Sequence, residues 1–429
     1  MGSDRHIITR LSIMMFLQFF VWGAFFVTLG SYLLSVFQGE TGINSIIGQA
    51  YATHNWAALL APLFVGLLAD RYFNAERLNA FCQFAGAALL WYASTVTDPG
   101  TFIWVMFAYF MLYMPTLALA NAIAFSNIDS PDRQFPAIRV WGTIGWIVSG
   151  FVVAQTVLGW VDIPFLQIIT GVENAQASNV PLRMAAVISL LYGLYCLTLP
   201  ATPPQARGER FSFSKSLGLD AIKLMAERNF FIFALSSFLI SIPLSFYYAR
   251  TNDFVAAMAF GDQSASFMAI GQMSEVLFML LVPFFLIRFG IKWMLVVAMG
   301  AWALRYLVFA SFPESAAFLI FGIALHGICY DFFFVTGQLY VDRKAPAPIR
   351  ASAQGLFALL TYGAGMLVGN YMLGWWGDRI SLDGSTMIGW QQSAFAFWVM
   401  PSLLALAILL FFVFTFKSEK NHDSVSQSA

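Results

Sequence analysis

TPPQARGERFSFSKSLGLDAIKLMAER, residues 202–228, is the one long polar stretch in a chain that is otherwise strongly apolar. It begins with Pro203-Pro204 after a Thr and carries five basic residues, so we predict a linker here and not a membrane span. Its second part, residues 217–227, alternates apolar and charged residues at helical spacing, which is typical of an amphipathic helix on a membrane surface. The linker therefore divides the chain into two parts.

The composition of the 429-residue chain excludes an ordinary soluble enzyme. Hydrophobic residues make up 59% and charged residues 10%, whereas a soluble domain carries about 25% charged residues, so lipid must surround much of the chain. The 22 basic residues balance the 22 acidic ones, and no positive excess indicates a nucleic-acid polymer as partner. Cys82, Cys196 and Cys329 lie in apolar runs without metal-ligand spacing and are interpreted as small core residues.

Both sides of the linker contain apolar runs of about 20 residues, the length that spans a bilayer as an unbroken helix. We count twelve and predict an all-α integral membrane protein, at 12–36, 46–69, 77–97, 101–126, 138–160, 183–200, 230–250, 264–288, 291–312, 316–341, 350–376 and 392–416. The predicted divisions are an N-terminal six-helix half at 1–200, a cytoplasmic linker at 201–229, a C-terminal six-helix half at 230–416 and a cytoplasmic tail at 417–429.

Lysine and arginine are distributed unevenly between the loops on the two sides. With both termini inside, eighteen basic residues fall on the inner side and three, Arg183, Arg250 and Arg379, on the outer side. Basic residues are retained on the cytoplasmic side of a membrane. We therefore predict a multi-pass protein with both termini in the cytoplasm.

The two parts also repeat each other weakly, since Pro136-Ala-Ile-Arg139 before the fifth span has a counterpart in Pro348-Ile-Arg350 before the eleventh. Two parallel six-helix halves are typical of major facilitator transporters. Between the second and third spans, Gly66-Leu-Leu-Ala-Asp70-Arg71 with Arg77 resembles the signature loop of that superfamily, which suggests a gating role. The alternative is a positively charged inner loop with an incidental acid.

Acidic side chains deep in a membrane are expensive and are retained for a function or a partner. Asp331 in the tenth span and Glu275 in the eighth are the two acids that we place there. A carboxyl group in such surroundings can take up and release a proton as water access alternates. The alternative is a structural ion pair, for which Arg139 or Arg305 could supply the cation.

Other polar and aromatic side chains form stripes along single helices. The stripes are Gln18, Trp22 and Phe25; Arg139, Thr143 and Trp146; Gln272 and Glu275; and His326 and Tyr330. Flat rings and amides suit a planar, neutral, polar ring that carries hydroxyls, although such stripes can equally be packing or lipid-facing surfaces. His326 could either titrate or stay neutral in a cavity. No Walker loop, dinucleotide fingerprint or metal-ligand cluster is found, so neither a cofactor nor an enzyme activity is predicted.

Ordered blocks along almost the whole chain resemble the bacterial nucleoside:proton symporter family, the NupG and YegT type permeases, and look closer to the YegT branch. The blocks are Phe16-Leu-Gln-Phe-Phe-Val-Trp22-Gly, Tyr113-Met-Pro-Thr116, Phe135-Pro-Ala-Ile-Arg139-Val-Trp-Gly-Thr143-Ile-Gly, Leu217-Gly-Leu-Asp220-Ala, Gln272-Met-Ser-Glu275, Phe289-Gly-Ile-Lys292, Tyr330-Asp331-Phe-Phe and Ile349-Arg-Ala-Ser-Ala-Gln354-Gly355.

This resemblance implies proton-driven nucleoside uptake across the inner membrane of a Gram-negative bacterium. It implies that Arg139, Thr143, Gln272 and Glu275 contact the nucleoside, that Trp146 stacks near the base and that Asp331 couples the proton. At Ser245, Tyr248, His326 and Tyr330 the chain departs from the NupG type, which leaves the choice between purine and pyrimidine nucleosides open.

The expected partners are a nucleoside, protons and the lipid bilayer, with a monomer as the expected state and the proton gradient as driving force. One alternative is a porter of the same fold for another neutral polar solute, such as a sugar or glycoside. A second is a membrane ligand sensor, whose usual sign is an appended soluble domain. Here only a short tail, 417–429, follows the last span.

Overall fold

The computed structural model describes residues 2–64, 72–204 and 217–418. Helices occupy the positions of the first six predicted spans. The first span consists of Gly2–Phe26 and Leu29–Val36, and the next five are Ile43–Phe64, Ala75–Ala93, Pro99–Ser126, Pro131–Ala154 and Val180–Cys196. The predicted N-terminal set of membrane helices is thus present.

The last six spans are helical as well, but several of them are interrupted. The seventh span is Arg228–Val255 with a π-helix at Ala256–Phe260, followed by a short 3-10 helix at Gly261–Gln263. Ser264–Ser311 contains the eighth and ninth spans, which are interrupted by the non-helical residue Gly290. The tenth consists of Ala316–Ala324, His326–Tyr330, the π-helix Asp331–Val335 and Thr336–Lys344. The eleventh begins after a 3-10 turn at Ala347–Ile349 and consists of Arg350–Ala358, the π-helix Leu359–Gly365 and Met366–Arg379, and the twelfth is Met387–Thr415.

Seven stretches of the described chain are long and apolar enough to cross a membrane: His6–Val36, Pro99–Ser126, Arg133–Ala154, Arg228–Ser311, Ala316–Lys344, Ala347–Arg379 and Met387–Thr415. Arg228–Ser311 contains three predicted spans in one run. Large apolar side chains such as Ile287 and Phe414 are more than four-fifths exposed, as expected where lipid replaces water. The predicted all-α membrane fold is confirmed.

Gly290 separates the eighth span from the ninth. Its backbone has φ 69° and ψ 172°, a conformation that is essentially restricted to glycine, and a Cβ placed there would meet nothing within 4 Å. Glycine is therefore required here by the backbone conformation of the turn and not by a lack of space for a side chain. It falls where the sequence places the boundary between these two spans.

The fifth span ends earlier than the predicted residue 160. Gln155 adopts a left-handed conformation after Ala154, and the chain continues into a small antiparallel hairpin in which Thr156 lies opposite Asp162. Phe165–Thr170 and a 3-10 turn at Ala175–Ala177 complete the connection to the sixth span. We name this side of the helix bundle, which carries the hairpin, the hairpin end, and the opposite side the linker end.

Parts of the predicted linker and loop lie outside the described residues. These are residues 205–216 and, in the candidate gating loop, Gly66, Asp70 and Arg71. Arg77 is described, is exposed near the beginning of the third span and lies 4.0 Å from the carboxylate of Glu76. Where the sequence predicts an amphipathic helix, the chain forms a 3-10 helix at Leu219–Ala226 with Ala221 buried.

The first six spans contact the last six mainly through the fifth and eighth spans and through the second and eleventh. Gly374 allows close approach, because a Cβ there would lie 2.8 Å from the Cα of Ser45. At the hairpin end, Asn44 donates from its backbone to Asp378 at 3.1 Å and from its side chain to the carbonyl of Leu382 at 3.1 Å. Gln176 accepts from Ser264 at 3.0 Å. The two sets of spans are therefore bonded together at the hairpin end.

Candidate functional site

A cavity lies between the two sets of spans, near the middle of the helices. Its volume is about 110 Å³. Eight of the predicted site residues line it, namely Trp22, Arg139, Thr143, Trp146, Tyr248, Gln272, Glu275 and Tyr330, together with Phe19, Phe26, His54, Tyr362 and Met366. Residues that are far apart in sequence thus meet in one space.

One wall of the cavity is aromatic. The ring of Trp22 lies 5.3 Å from that of Trp146, at 72°, and 5.3 Å from that of His54. Phe19 carries the guanidinium of Arg139 above its face at 4.2 Å, a distance typical of a cation–π contact. This wall combines flat apolar surface with one cation, which suits a planar ring with polar edges.

The eighth span supplies acceptors to the cavity. Gln272 and Glu275 lie one turn apart on the same face of the helix and both line the cavity. A carboxylate oxygen of Glu275 lies 3.9 Å from Nε2 of His326. Among the described residues, no salt bridge joins Glu275 to an arginine, so its carboxylate is available to hydroxyl donors of a ligand.

Two tyrosines close the wall formed by the tenth and eleventh spans. The hydroxyl oxygens of Tyr330 and Tyr362 lie 2.5 Å apart, and the ring of Tyr362 stacks on Phe334 at 4.9 Å. The backbone carbonyl of Tyr362 accepts a hydrogen bond from Asn55 of the second span at 2.6 Å. The wall is thereby tied to the first six spans.

His326 does not line the cavity but lies buried directly behind it. Its ring stacks on that of Tyr247, with centroids 5.0 Å apart and an angle of 13°. The Arg305 guanidinium lies 4.2 Å from the centre of the same Tyr247 ring and donates to the carbonyl of Gly322 at 2.9 Å. His326 therefore contacts Glu275 and not the cavity itself.

Asp331 is fully buried, one residue beyond Tyr330, where the tenth span changes to a π-helix. In the described part of the chain, neither of its carboxyl oxygens has a partner within ordinary hydrogen-bond geometry, and no arginine forms a salt bridge with it. A charged carboxylate without a partner is expensive in such surroundings. The ion pair considered as an alternative from the sequence is not formed here.

Two predicted site residues lie away from the cavity. Gln18 is buried and donates to the hydroxyl of Thr116 at 2.7 Å, which joins the first and fourth spans. The Ser245 hydroxyl donates to the carbonyl of Ile242 at 2.8 Å, and its side chain packs against Gly369 of the eleventh span. The structure therefore gives both side chains contacts within the helix bundle.

Five lining residues were not among the predicted site residues: Phe19, Phe26, His54, Tyr362 and Met366. Phe19 and Phe26 lie at i−3 and i+4 from Trp22, so helical spacing could have identified them. His54 is polar and lies in a predicted span, which is also a usable signal. Tyr362 and Met366 carry no such signal, because their position depends on the π-helix of the eleventh span.

Known proteins resemble this chain along almost its whole length. A family model described as nucleoside H+ symporter matches residues 5–421. The chain belongs to the nucleoside H+ symporter family. This confirms the predicted resemblance, and the match covers both sets of spans.

Individual members of the nucleoside H+ symporter family match along almost their full length. YegT of Escherichia coli K12 is 37% identical over 417 residues, covering 96% of this chain and 94% of that protein. The xanthosine permease of the same organism is 35% identical, with 96% of each chain covered. A crystal structure of the nucleoside transporter NupG superposes with a TM-score of 0.82 at 30% identity, covering 96% of this chain and all of that one.

As a nucleoside H+ symporter, the chain has the fold and the general function predicted from its sequence. The family is described as nucleoside H+ symporters, and the relatives named above include a permease. YegT is more similar than NupG of Escherichia coli, which is 32% identical over 419 residues. The alternative of a sugar or glycoside porter is not favoured by these matches.

Proposed function

We propose that this nucleoside H+ symporter binds its substrate in the central cavity and imports it through a bacterial inner membrane by alternating access. Both termini and the linker lie on the cytoplasmic side in this proposal, and the hairpin end faces outward. The observation that carries the proposal is that Arg139 and Trp146 of the first six spans line one cavity with Gln272 and Glu275 of the last six. A rocking motion between the two sets would therefore assemble and disassemble the site.

The lining chemistry suits the two parts of a nucleoside. Trp22 and Trp146, whose rings contact each other edge to face, both line the cavity and offer aromatic surface to the base. Aromatic rings favour offset-stacked or edge-to-face contacts with other rings. Glu275 and Gln272 accept from ribose hydroxyls, and Thr143 and Arg139 donate to carbonyl or ring acceptors. Tyr248 and Tyr330 complete the cavity wall, while His326 positions Glu275 from behind. Gln18 and Ser245 contribute indirectly, through hydrogen bonds that stabilise the helices carrying the site.

Asp331 is the proposed site of proton coupling. Its carboxyl group is buried, has no partner in the described chain and follows Tyr330 of the cavity wall directly. Burial without a partner favours the protonated form, and access to water favours release of the proton. Tyr330 lines the cavity and precedes Asp331 directly. A conformational change in the tenth span would therefore alter both the substrate contacts and the surroundings of Asp331.

The hydrogen bonds at the hairpin end keep the outer side closed in the described arrangement. In the working cycle, these bonds break when the substrate enters and re-form before release. Gly66, Asp70, Arg71 and Arg77 are proposed to act in the corresponding closure on the cytoplasmic side. The proposed working unit is a monomer.

The test is uptake into proteoliposomes with an imposed proton gradient. We expect Asp331→Asn to abolish uphill nucleoside accumulation while nucleoside exchange continues. The matched control is Asp342→Asn, because Asp342 lies in the same span, is half exposed and pairs with Arg350 at 3.3 Å away from the cavity. Accumulation by Asp331→Asn at the wild-type level would contradict the assignment of Asp331 to proton coupling. Competition by unlabelled sugars but not by nucleosides would contradict the assignment of nucleosides as the substrate.

A further inference from the structure

His54 of the second span lines the central cavity, and the proposed function assigns no role to it. Its imidazole ring contacts the rings of Trp22, Phe26 and Phe110, with centroids 5.3, 5.4 and 5.4 Å away. The residue is 5% exposed. A ring packed among three others keeps one orientation, so the directions of its two nitrogens are fixed.

The neighbouring Asn55 has an amide group whose orientation follows from its partners. Its Nδ2 donates to the backbone carbonyl of Tyr362 at 2.6 Å, and its Oδ1 accepts from Nδ2 of Asn370 at 2.6 Å. Because a carbonyl oxygen can only accept, the atom of Asn55 that contacts Tyr362 must be the amide nitrogen. The nitrogen and oxygen of this amide therefore cannot be exchanged.

The same amide nitrogen determines the tautomer of His54. Nδ2 of Asn55 lies 3.2 Å from Nδ1 of His54. An amide nitrogen donates and does not accept, so Nδ1 must be the acceptor, and the proton of the neutral ring lies on Nε2. A doubly protonated ring would place two donors against each other, which favours the neutral form. His54 is thus a neutral ring with one N–H group, at Nε2.

Nε2 is the polar atom that His54 presents to the cavity. It forms no hydrogen bond in the described chain and remains accessible, whereas both ring nitrogens of His326 are unpartnered and inaccessible. Because His54 lines the central cavity and is otherwise enclosed by rings, the open side of Nε2 is the cavity. An N–H donor in this position needs an acceptor from the ligand.

The other charged groups of the cavity limit what this acceptor belongs to. The ring of Trp22 lies 5.3 Å from that of His54 and 6.3 Å from that of Phe19, which carries the guanidinium of Arg139. His54 and Arg139 therefore both offer N–H donors along the aromatic wall. Glu275, on the eighth span, is the one carboxylate among the described lining residues. An oxo group suits the aromatic wall, and an amino group would place a donor against a donor.

We propose that Nε2–H of His54 donates to a carbonyl oxygen of the nucleobase and makes the protein select oxo-substituted bases over amino-substituted ones. The inference rests on the proposed function, which places the base at Trp22 and Trp146 and the ribose at Glu275. Nucleosides such as inosine and uridine are favoured, and adenosine and cytidine are disfavoured. Asn55 is a positioning residue, because it acts on the substrate only through the tautomer of His54.

Equilibrium binding of four nucleosides to the purified full chain tests this assignment. Inosine and adenosine form one matched pair, and uridine and cytidine form the other, because each pair exchanges an oxo for an amino group at one position of the base. We expect each oxo nucleoside to bind about tenfold more tightly than its amino partner, the effect of leaving one N–H donor without an acceptor.

Three variants separate the donor from the shape of the cavity. His54→Leu should weaken binding of both oxo nucleosides about tenfold and change that of the amino nucleosides less than about twofold. His54→Gln should restore most of the discrimination, since its amide N–H can replace Nε2–H. Met366→Leu changes the cavity lining without adding or removing a hydrogen-bond donor, so it should leave both ratios unchanged.

Asn55→Ala tests the tautomer itself. Without the amide, Nε2 can become an acceptor, so the variant should bind adenosine and cytidine more tightly than the wild type does. Loss of a merely structural contact would weaken binding of all four nucleosides alike.

Two results would overturn the inference: equal binding of the two members of each pair by the wild type, and discrimination that persists unchanged in His54→Leu. In both cases nucleosides bind, so the proposed function stands. The wild-type ratios decide even where a variant does not fold. Binding of no nucleoside by a wild-type protein that shows a cooperative thermal transition would contradict the proposed function, and the inference with it.

Discussion

The hydroxyl oxygens of Tyr330 and Tyr362 lie 2.5 Å apart and form a hydrogen bond between the tenth and eleventh spans on the wall of the central cavity. One of the two hydroxyls donates to the other, which leaves one O–H free to donate to a ligand. Tyr362 thereby contributes to the site through its hydrogen bond to Tyr330, although no sequence motif marks it. The bond also fixes the orientation of Tyr330, next to Asp331.

Tyr362→Phe should weaken nucleoside binding about fivefold, because one neutral hydrogen bond contributes about 1 kcal/mol. Equilibrium binding to the purified protein measures the change. The control is Tyr371→Phe in the same span, whose hydroxyl accepts from the indole of Trp56 at 3.2 Å outside the cavity. Equal losses in the two variants would show that the effect is general destabilisation of the span.

Asn44→Ala should lower the free energy of unfolding by about 3 kcal/mol, since it removes a hydrogen bond from a buried guanidinium and one to a carbonyl. Those partners are Arg250 of the seventh span and Leu382 of the loop between the eleventh and twelfth spans. Thermal unfolding in detergent is the measurement. Asn229→Ala removes two bonds to Lys417, at 3.1 and 3.2 Å, that do not join the two sets, and it should cost about 1 kcal/mol. An equal loss of thermal stability in the two variants would show that the hairpin-end hydrogen bonds contribute no more to stability than bonds elsewhere.

Gly290→Ala should destabilise the protein by about 1–3 kcal/mol, because the strain arises from the backbone conformation alone. Gly355→Ala is the matched control. A Cβ at Gly355 also meets nothing within 4 Å, but the residue lies in the helix Arg350–Ala358. Alanine should therefore be neutral or stabilising there, by up to about 1 kcal/mol. Opposite shifts in the midpoint of thermal unfolding are expected, and a Gly290→Ala protein as stable as wild type would refute the account of this turn.

Asp383→Asn should remove a pH-dependent part of the stability. The hydroxyl of Ser385, followed by that of Thr386 and the Ser385 backbone N–H, holds the pKa of Asp383 below its ordinary value. A folded-state pKa below the unfolded one stabilises the protein above about pH 4, the ordinary value for aspartate, and this contribution is lost as the pH falls through the folded pKa.

Thermal unfolding of wild type and Asp383→Asn between pH 7 and acid measures this contribution. The variant should be less stable at neutral pH, and the two curves should converge in acid. Asp162→Asn, an exposed acid of the hairpin, controls for loss of one charge. A difference that stays constant over the whole pH range would assign the effect to packing and not to ionisation.

The sequence predicted the parts of the site that lie on regular helices. Arg139, Thr143 and Trp146 share one face of the fifth span, and Gln272 and Glu275 share one face of the eighth, so helical spacing groups them, and the family resemblance singles these groups out as candidate substrate contacts. Gln18, chosen by the same spacing rule, and Ser245, chosen because the chain departs from the NupG type there, form hydrogen bonds within the helix bundle instead. Spacing tells which residues share a face, and it does not tell what the face meets.

By itself, the sequence determined the all-α membrane fold and the order of its helices, and it predicted the boundary between the eighth and ninth spans beside Gly290, because each follows from local composition. Only the tertiary structure decided that Tyr362 contacts Tyr330 and that His326 lies next to Glu275. Those relations depend on π-helical segments and on contacts between residues that are distant in the chain. Local propensity does not encode them, since packing between helices selects among faces that are equally apolar.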